Sequence, residues 1–389
     1  MRRLLLRFQQ RLRLSPFIVL IVLVAPSVAN SQTLHFEKRQ IASESFESVA
    51  VFDVDGDGEL DIVSGAYWYE GPDFLNRHYM ADVERHGEYW DDFLTIPMDI
   101  NGNGRLDVVV GGWFSQNLRW LENPGDHSRW TEHVIDQTGN VEAARAWDLD
   151  GDGHLEVVPN NPNDPLKAYK LERGADGQPA GRFQKIPIAD VRGHGLGFGD
   201  VNGDGRGDFI VSGGWIEAPE DILEGEWVFH EEFDLGSASI PIIVADVNGT
   251  GYNDLIVGSA HDYGLDWLEQ RVDGAGNREW VRHAIDPYGS QFHTMEWVDI
   301  DEDGEPELVT GKRYRAHNGG DPGANDAVGL YYYKWSGDGF VKHTIASGPF
   351  GEGKGTGISF EVVDLNGSGL KDIVVAGKDG LYIFYNRGF

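Results

Sequence analysis

Seven stretches of this chain can do one kind of chemistry, the capture of a hard cation. The first reads Asp53-Val-Asp55-Gly-Asp57-Gly-Glu-Leu-Asp61, and the others open at Asp99, Asp148, Asp200, Asp246, Asp299 and Asp364. Side chains at positions 1, 3, 5 and 9 can converge on an ion, and position 7 offers a backbone carbonyl. A glycine at position 6 permits the sharp turn. The first repeat supplies Asp53, Asp55, Asp57 and Asp61; the third Asp148, Asp150, Asp152 and Glu156; the fourth Asp200, Asn202, Asp204 and Asp208. The second, with Asp99, Asn101, Asn103 and Asp107, carries fewer charges and should bind more weakly. Thr250 and Ser368 stand at position 5 of the fifth and seventh. The sixth has Asp299, Asp301, Asp303 and Glu307, with Glu302 and Pro306 disturbing its turn. An all-oxygen set selects Ca2+. Without the bidentate Glu of an EF-hand loop, affinity should be of the extracellular kind, ~10⁻⁴–10⁻³ M.

A second chemistry appears when the repeats are aligned on their opening aspartate. Six residues earlier stand Glu47, Phe93, Glu142, His194, Ile240, His293 and Ile358. Two histidines and two glutamates at equivalent positions can surround a divalent ion such as Zn2+ or Mn2+, or orient a sugar. Fifteen residues after the aspartate stand Trp68, Phe114, Asn163, Trp215, His261, Tyr314 and Asp379. Trp68, Trp113 and Trp215 offer faces for sugar stacking, although aromatics also fill the seams of β-proteins. The segment 311–326 is an insertion that gathers Lys312, Arg313, Arg315 and His317 in an acidic protein. Its cations suit a carboxylate or a sugar carbonyl.

The elements that must position these groups are strands. After each loop comes an apolar run such as Asp61-Ile-Val-Ser or Asp372-Ile-Val-Val. An aromatic strand follows, such as Leu118-Arg-Trp-Leu-Glu, and then an outer strand such as Trp130-Thr-Glu-His-Val-Ile-Asp. With the strand before the loop, each repeat has four strands. The loops recur every 46 to 65 residues. That period predicts an all-β, seven-bladed β-propeller of antiparallel four-stranded blades over residues 30–389. The chain ends after the third strand of its seventh repeat. Phe36-Glu-Lys-Arg-Gln-Ile-Ala resembles the outer strand Phe340-Val-Lys-His-Thr-Ile-Ala, so residues 34–43 are expected to complete that blade and close the ring. Antiparallel hairpins then put the loops at one end of the blades. The positions six before and fifteen after the aspartate fall at the other end.

The Asp-Val-Asp-Gly-Asp-Gly-x-x-Asp loop followed by Ile-Val resembles the FG-GAP/VCBS repeat family of calcium-loop propellers, also seen in integrin α-subunit heads. The resemblance spans the chain after its leader and implies fold and calcium rather than an activity. More loosely, Gly65-Ala-Tyr-Trp-Tyr-Glu-Gly-Pro and Gly258-Ser-Ala-His-Asp-Tyr-Gly look like the propeller part of aldos-2-ulose dehydratase. That resemblance implies metal-dependent dehydration of keto-sugars.

Residues 1–29 read as a secretory signal: Arg2, Arg3, Arg7, Arg11 and Arg13, the apolar run Phe17 to Ala25, then Ser27-Val28-Ala29. A secreted or periplasmic protein follows. Its removal leaves 27 basic residues against 64 acidic, a net of −37. That charge argues against nucleic acid and anionic membranes as partners. No second apolar stretch suggests membrane insertion, and a monomer is expected. The absence of cysteine excludes disulfides and thiol catalysis. Arg206-Gly207-Asp208 spells an adhesion tripeptide, but Asp208 belongs to a cation loop. The leading expectation is a carbohydrate-active lyase or dehydratase in which His194, His293, His261, Tyr314, Arg313 and Arg315 act on the substrate. Glu47, Glu142, Lys312 and His317 would help bind it. A lectin-like or adhesion propeller, and a structural calcium scaffold, remain open readings.

Overall fold

Continuous Val/Ile runs bounded by Gly-Asp turns can bury both faces only when sheets stack on sheets. The computed structural model, which describes residues 33–389, arranges them as seven four-stranded antiparallel sheets. The leader predicted for residues 1–29 lies outside the described residues. The innermost strands are Ala50–Phe52, Leu94–Met98, Ala143–Trp147, Leu196–Gly199, Ile243–Ala245, Met295–Val298 and Phe360–Val363. Each is followed by its acidic loop and pairs antiparallel with the strand after it, as in Ala50↔Val63 and Leu196↔Val211. The outermost strand of the seventh blade is the N-terminal Phe36–Ala42, which pairs with Leu381–Asn386 from Phe36↔Asn386 to Ala42↔Leu381. The ring therefore closes between the chain's two ends, as the strand count predicts.

The core is distributed. Seven apolar clusters lie one to each seam between neighbouring blades. The seam between blades 7 and 1, for example, joins Val49, Ile62 and Tyr69 to Val374 and Ile383. Each fully buried aliphatic side chain of this kind contributes roughly 1.5–3 kcal/mol.

Blades 1, 2, 4 and 5 share one device on their outer strands. His78, His133, His230 and His283 stack on Trp68, Trp120, Trp215 and Trp267 at centroid distances of 4.2 to 4.5 Å. Each imidazole also bonds a glutamate two residues beyond its Trp: Glu70, Glu122, Glu217 or Glu269, at 2.8 or 2.9 Å. These histidines tie outer strands to their neighbours.

Two segments interrupt the repeat. Between blades 1 and 2, Arg85–His86 and Tyr89–Trp90 form a small hairpin. In blade 6 the insertion after Gly311 contains a short 3-10 turn, Ala316–Gly319.

Candidate metal centre at the channel mouth

The inner strands begin at one end of the channel, so residues six before each loop meet there. Glu142 (blade 3), His194 (blade 4), His293 (blade 6) and His261 (the turn after blade 5's second strand) bring one ligand atom each within 4.8 Å of one another. Glu142 Oε1 lies 3.1 Å from His293 Nε2 and 3.7 Å from His194 Nε2. The imidazoles of His194 and His261 pack edge to face at 4.7 Å, and those of His194 and His293 at 4.9 Å.

Two of the imidazoles are held by their other nitrogen. His194 Nδ1 donates to the Ala238 carbonyl at 2.8 Å, and His261 Nδ1 lies 3.0 Å from Asp321 Oδ2. Those bonds leave Nε2 as the free ring atom of each, the arrangement that orients metal-binding histidines. His194 Nε2 and His293 Nδ1 are buried with no hydrogen-bond partner, a cost of about 1–3 kcal/mol each unless something occupies the space. Burial, the Arg313 charge and His194 hold His293 well below the usual histidine range. Burial and His194 push His261 down to about 4. Neutral imidazoles beside a carboxylate suit a borderline divalent metal such as Zn2+ or Mn2+.

Arg313 closes the cluster on one side. Its Nε donates to Glu47 Oε1 at 2.9 Å and its Nη1 to Glu142 Oε1 at 2.8 Å, and all three side chains are almost wholly buried. Burial alone would lower the guanidinium pKa, but the two carboxylates more than offset it. Burial likewise opposes ionisation of Glu142, yet contacts from His194 and His293 and the Arg313 charge hold it well below the ordinary carboxylate range. A cavity of about 220 Å³ opens beside this group, lined by Tyr89, Phe93, Trp113, Phe114, Glu142, Arg313, His317 and Asn318.

The two interrupting segments wall the cavity. Arg315 from the insertion grips Glu88 of the hairpin through Nε and Nη2 at 2.8 and 2.7 Å. His317 stacks on His261 at 4.3 Å, and its Nδ1 lies 2.8 Å from Asp321 Oδ1, so Asp321 bridges both imidazoles. Arg315, His317 and Asn318 all adopt left-handed backbone, with φ of 54°, 47° and 56°. That conformation is costly for non-glycine residues, and such strain gathers at functional sites.

Of the site residues expected from sequence, the structure brings Glu47, Glu142, His194, His261, His293, Arg313, His317 and Trp113 to this mouth. It places others elsewhere. Trp68 and Trp215 are buried in the seams between blades 1 and 2 and between blades 4 and 5. In those blades the second and third strands turn within two residues, with Ser64↔Tyr67 and Val211↔Gly214 paired. The residue fifteen after the opening aspartate is then already inside a strand. Longer turns in blades 2, 5 and 6 leave Phe114, His261 and Tyr314 off the third strand. Tyr314 stacks on Phe350 at 5.3 Å rather than lining the cavity. Lys312 turns away, donating to Ser290 Oγ at 2.9 Å and to the Gly323 carbonyl. Arg315 acts through Glu88. Sequence reading missed Tyr89, Glu88, Asp321 and Lys378, whose Nζ sits 3.4 Å over the Tyr89 ring and 3.8 Å from Glu47. The hairpin was visible only as surplus length between the outer strand of blade 1 and the inner strand of blade 2.

At the opposite ends of the blades lie the acidic loops. Asp53 Oδ1 and Oδ2 accept from the Gly56 and Gly58 amides at 2.7 and 3.0 Å, and Gly58 has φ of 94°. Asp53, Asp55 and Asp57 bring carboxylate oxygens within 4.8 Å of one another, a set that fits a hard divalent cation. In blade 1 the position-9 oxygens accept amides too: Asp61 takes Val54 at 2.8 Å and Gly71 at 2.7 Å. Asp99, Asp148, Asp200 and Asp299 close their loops as Asp53 does, each accepting the position-6 amide at 2.9 or 3.0 Å.

This fold and these loops agree with what comparison finds. The FG-GAP-like repeat family matches residues 99–158 and 246–310, which hold the loops of blades 2, 3, 5 and 6. The chain thus carries FG-GAP-like repeats on a seven-bladed propeller. Among solved structures, crystals of BBS1N in complex with ARL6DN, soaked with lead or with mercury, align at TM-score 0.52 and 12% identity. Each alignment covers 90% of this chain and 96% of the other, a likeness of fold. The Vibrio cholerae biofilm matrix protein Bap1 aligns at TM-score 0.34 and 16% identity, over 84% of this chain and 42% of that one. No curated protein matches the sequence.

Proposed function

We propose that the chain is an exported, metal-dependent carbon–oxygen lyase of the dehydratase type, acting on a small sugar-derived ligand at the channel mouth. The observation that carries this reading is the convergence of Glu142, His194, His261 and His293 within 4.8 Å beside a 220 Å³ cavity, with two buried ring nitrogens unpartnered. Glu142 and the three imidazoles would hold the metal. Once bound, it would supply Lewis-acid polarisation of a carbonyl or carboxylate oxygen. Calcium in the loops at the other end would stiffen the ring.

The chain's own groups have separable roles. Tyr89, Phe93, Trp113 and Phe114 give the ligand an aromatic wall and exclude water from its apolar face. Arg313, immobilised by two carboxylates, presents fixed positive charge where an enolate would develop. His317, exposed and braced by Asp321, would take the proton α to the carbonyl. The electron pair would then form the new double bond as the β carbon–oxygen bond breaks, and the departing hydroxide would take that same proton from the His317 imidazolium and leave as water.

The second reading, a binding propeller without turnover, draws on Arg313 already being engaged by two carboxylates and on the FG-GAP-like fold, which fits binding or adhesion roles. Metal analysis of purified protein, with keto-sugars and uronic acids assayed for a conjugated, ultraviolet-absorbing product, separates the two. A site metal with product formation supports the lyase. Ligand retention without product supports the binding module. Absence of a non-calcium metal from the native protein refutes the metal centre.

A further inference from the structure

The loops of blades 3 and 6 differ from the rest in a way that acid counting hides. Lys170, on the third strand of blade 3, sends its ammonium into the loop and donates to Asp150 Oδ2, Asp152 Oδ2 and Glu156 Oε1, each at 2.8 Å. Lys334 does the same in blade 6, reaching Asp301, Asp303 and Glu307 at 2.6, 2.6 and 3.0 Å. In both, the three donors of one ammonium meet the residues at positions 3, 5 and 9. Burial works against the lysine charge, and the three carboxylate bonds more than offset it.

Four of the other five blades follow a complementary rule, and blade 7 carries Tyr385 at the equivalent place. At the same third-strand position blades 1, 2, 4 and 5 carry Glu70, Glu122, Glu217 and Glu269. Glu122 and Glu269 approach the position-3 residues Asn101 and Asn248 at 3.1 and 3.4 Å, adding negative charge where the lysines add positive. Position 9 changes in step. It is Asp in five loops, and there one oxygen accepts a backbone amide near the third strand, from Gly71, Asn123, Ala218, Gln270 or Asn386. It is Glu only in blades 3 and 6, where the extra methylene carries that oxygen to the lysine instead.

We infer that the loops of blades 3 and 6 take no calcium because Lys170 and Lys334 are their built-in cations, and that the third-strand residue decides which loops of this ring are ion sites. A divalent ion with oxygens at about 2.3–2.6 Å needs the volume that each ammonium fills, and displacing the ammonium would leave it unpaired. This inference rests on the reading that the remaining loops take calcium, and it reverses the acid-count ranking that put blade 3 among the strongest sites.

The test is calcium stoichiometry by equilibrium dialysis on the full chain and on the double variant Lys170→Met/Lys334→Met, with Lys170→Arg/Lys334→Arg as the charge-retaining control. Opening both loops should raise bound calcium by about two ions per chain over wild type, while the arginine variant should stay at the wild-type count. An unchanged count in the methionine variant overturns the inference, whatever wild type binds. A gain of two over a wild type that binds none keeps the lysine block in blades 3 and 6 but sinks the calcium reading of the other loops, and with it the third-strand rule. Should the methionine variant fail to fold, hydrogen exchange on wild type decides: calcium should leave segments 148–156 and 299–307 unprotected, and protection there overturns the inference.

Discussion

At the channel mouth two buried ring nitrogens, His194 Nε2 and His293 Nδ1, have no hydrogen-bond partner in the fold. His194 Nε2 lies 3.7 Å from Glu142 Oε1, and a metal held by these residues would give it a partner. His261→Ala should therefore strip the mouth metal while leaving calcium-dependent melting unchanged, read by metal analysis beside thermal melts. Asp321→Asn keeps the shape but removes the charge bracing His261 and His317, and should weaken metal retention about 10–100-fold. A second residue-scale effect belongs to the channel below. Glu361 faces Glu296 and Arg145 there; burial and the Glu296 charge push its carboxyl from an ordinary 4.5 up to about 8, against the pull of Arg145. The native state then holds a proton that the unfolded chain has released. Stability is full below the unfolded value, falls as pH rises from about 4.5 towards 8, and levels off above. Denaturant unfolding between about pH 5 and pH 9 should show a shallower decline in Glu361→Gln than in wild type.

At the scale of elements, two short segments make a propeller end into a site. The hairpin at 85–90 and the insertion at 312–326 are joined by Arg315 and Glu88, a partly exposed pair worth about 1 kcal/mol or less to stability. Arg315→Ala should leave the melting temperature nearly unchanged yet loosen the wall, raising the dissociation rate of any ligand measured by stopped flow. Backbone approach matters as much as side chains. A Cβ on Gly357 would lie 2.2 Å from the Glu47 carbonyl oxygen, where the Ile358 amide also bonds. Gly357→Ala must push blade 7 from blade 1 and displace Glu47 from Arg313, so it should cost both stability and site metal.

For the whole molecule, closure between the two ends of the chain is the decisive feature. Leu34 is buried in the seam of blades 6 and 7, and its amide donates to the Tyr332 hydroxyl at 3.2 Å. Leu34→Ala should cost about 2–5 kcal/mol, seen as a lower denaturant midpoint, even though it sits at the edge of the described chain. Chelation acts on the same ring from the loop end. Ions bound to native loops and not to the unfolded chain add about 2.7 kcal/mol per site at a hundredfold excess over Kd, so melting temperature should rise with calcium.

Repeat chemistry was legible in the sequence because it is local. The loop pattern, the Ile-Val runs after it and the duplicated Phe-x-x-x-x-Ile-Ala strand each follow from a few neighbouring residues, and together they specify seven blades and their closure. Register carried the reading further: counting back six residues found Glu47, Glu142, His194 and His293, since every inner strand starts at the same end. Counting forward fifteen failed at Trp68 and Trp215, because turn length between the second and third strands varies from blade to blade. What only the tertiary structure decided was which long side chains pair, across blades or within one. Arg313 choosing Glu47 and Glu142, Asp321 bridging His261 and His317, and Lys170 filling its own blade's loop all depend on which long side chain reaches which neighbour. Long flexible side chains are placed by the space and charge around them, and nothing in a linear spacing records that.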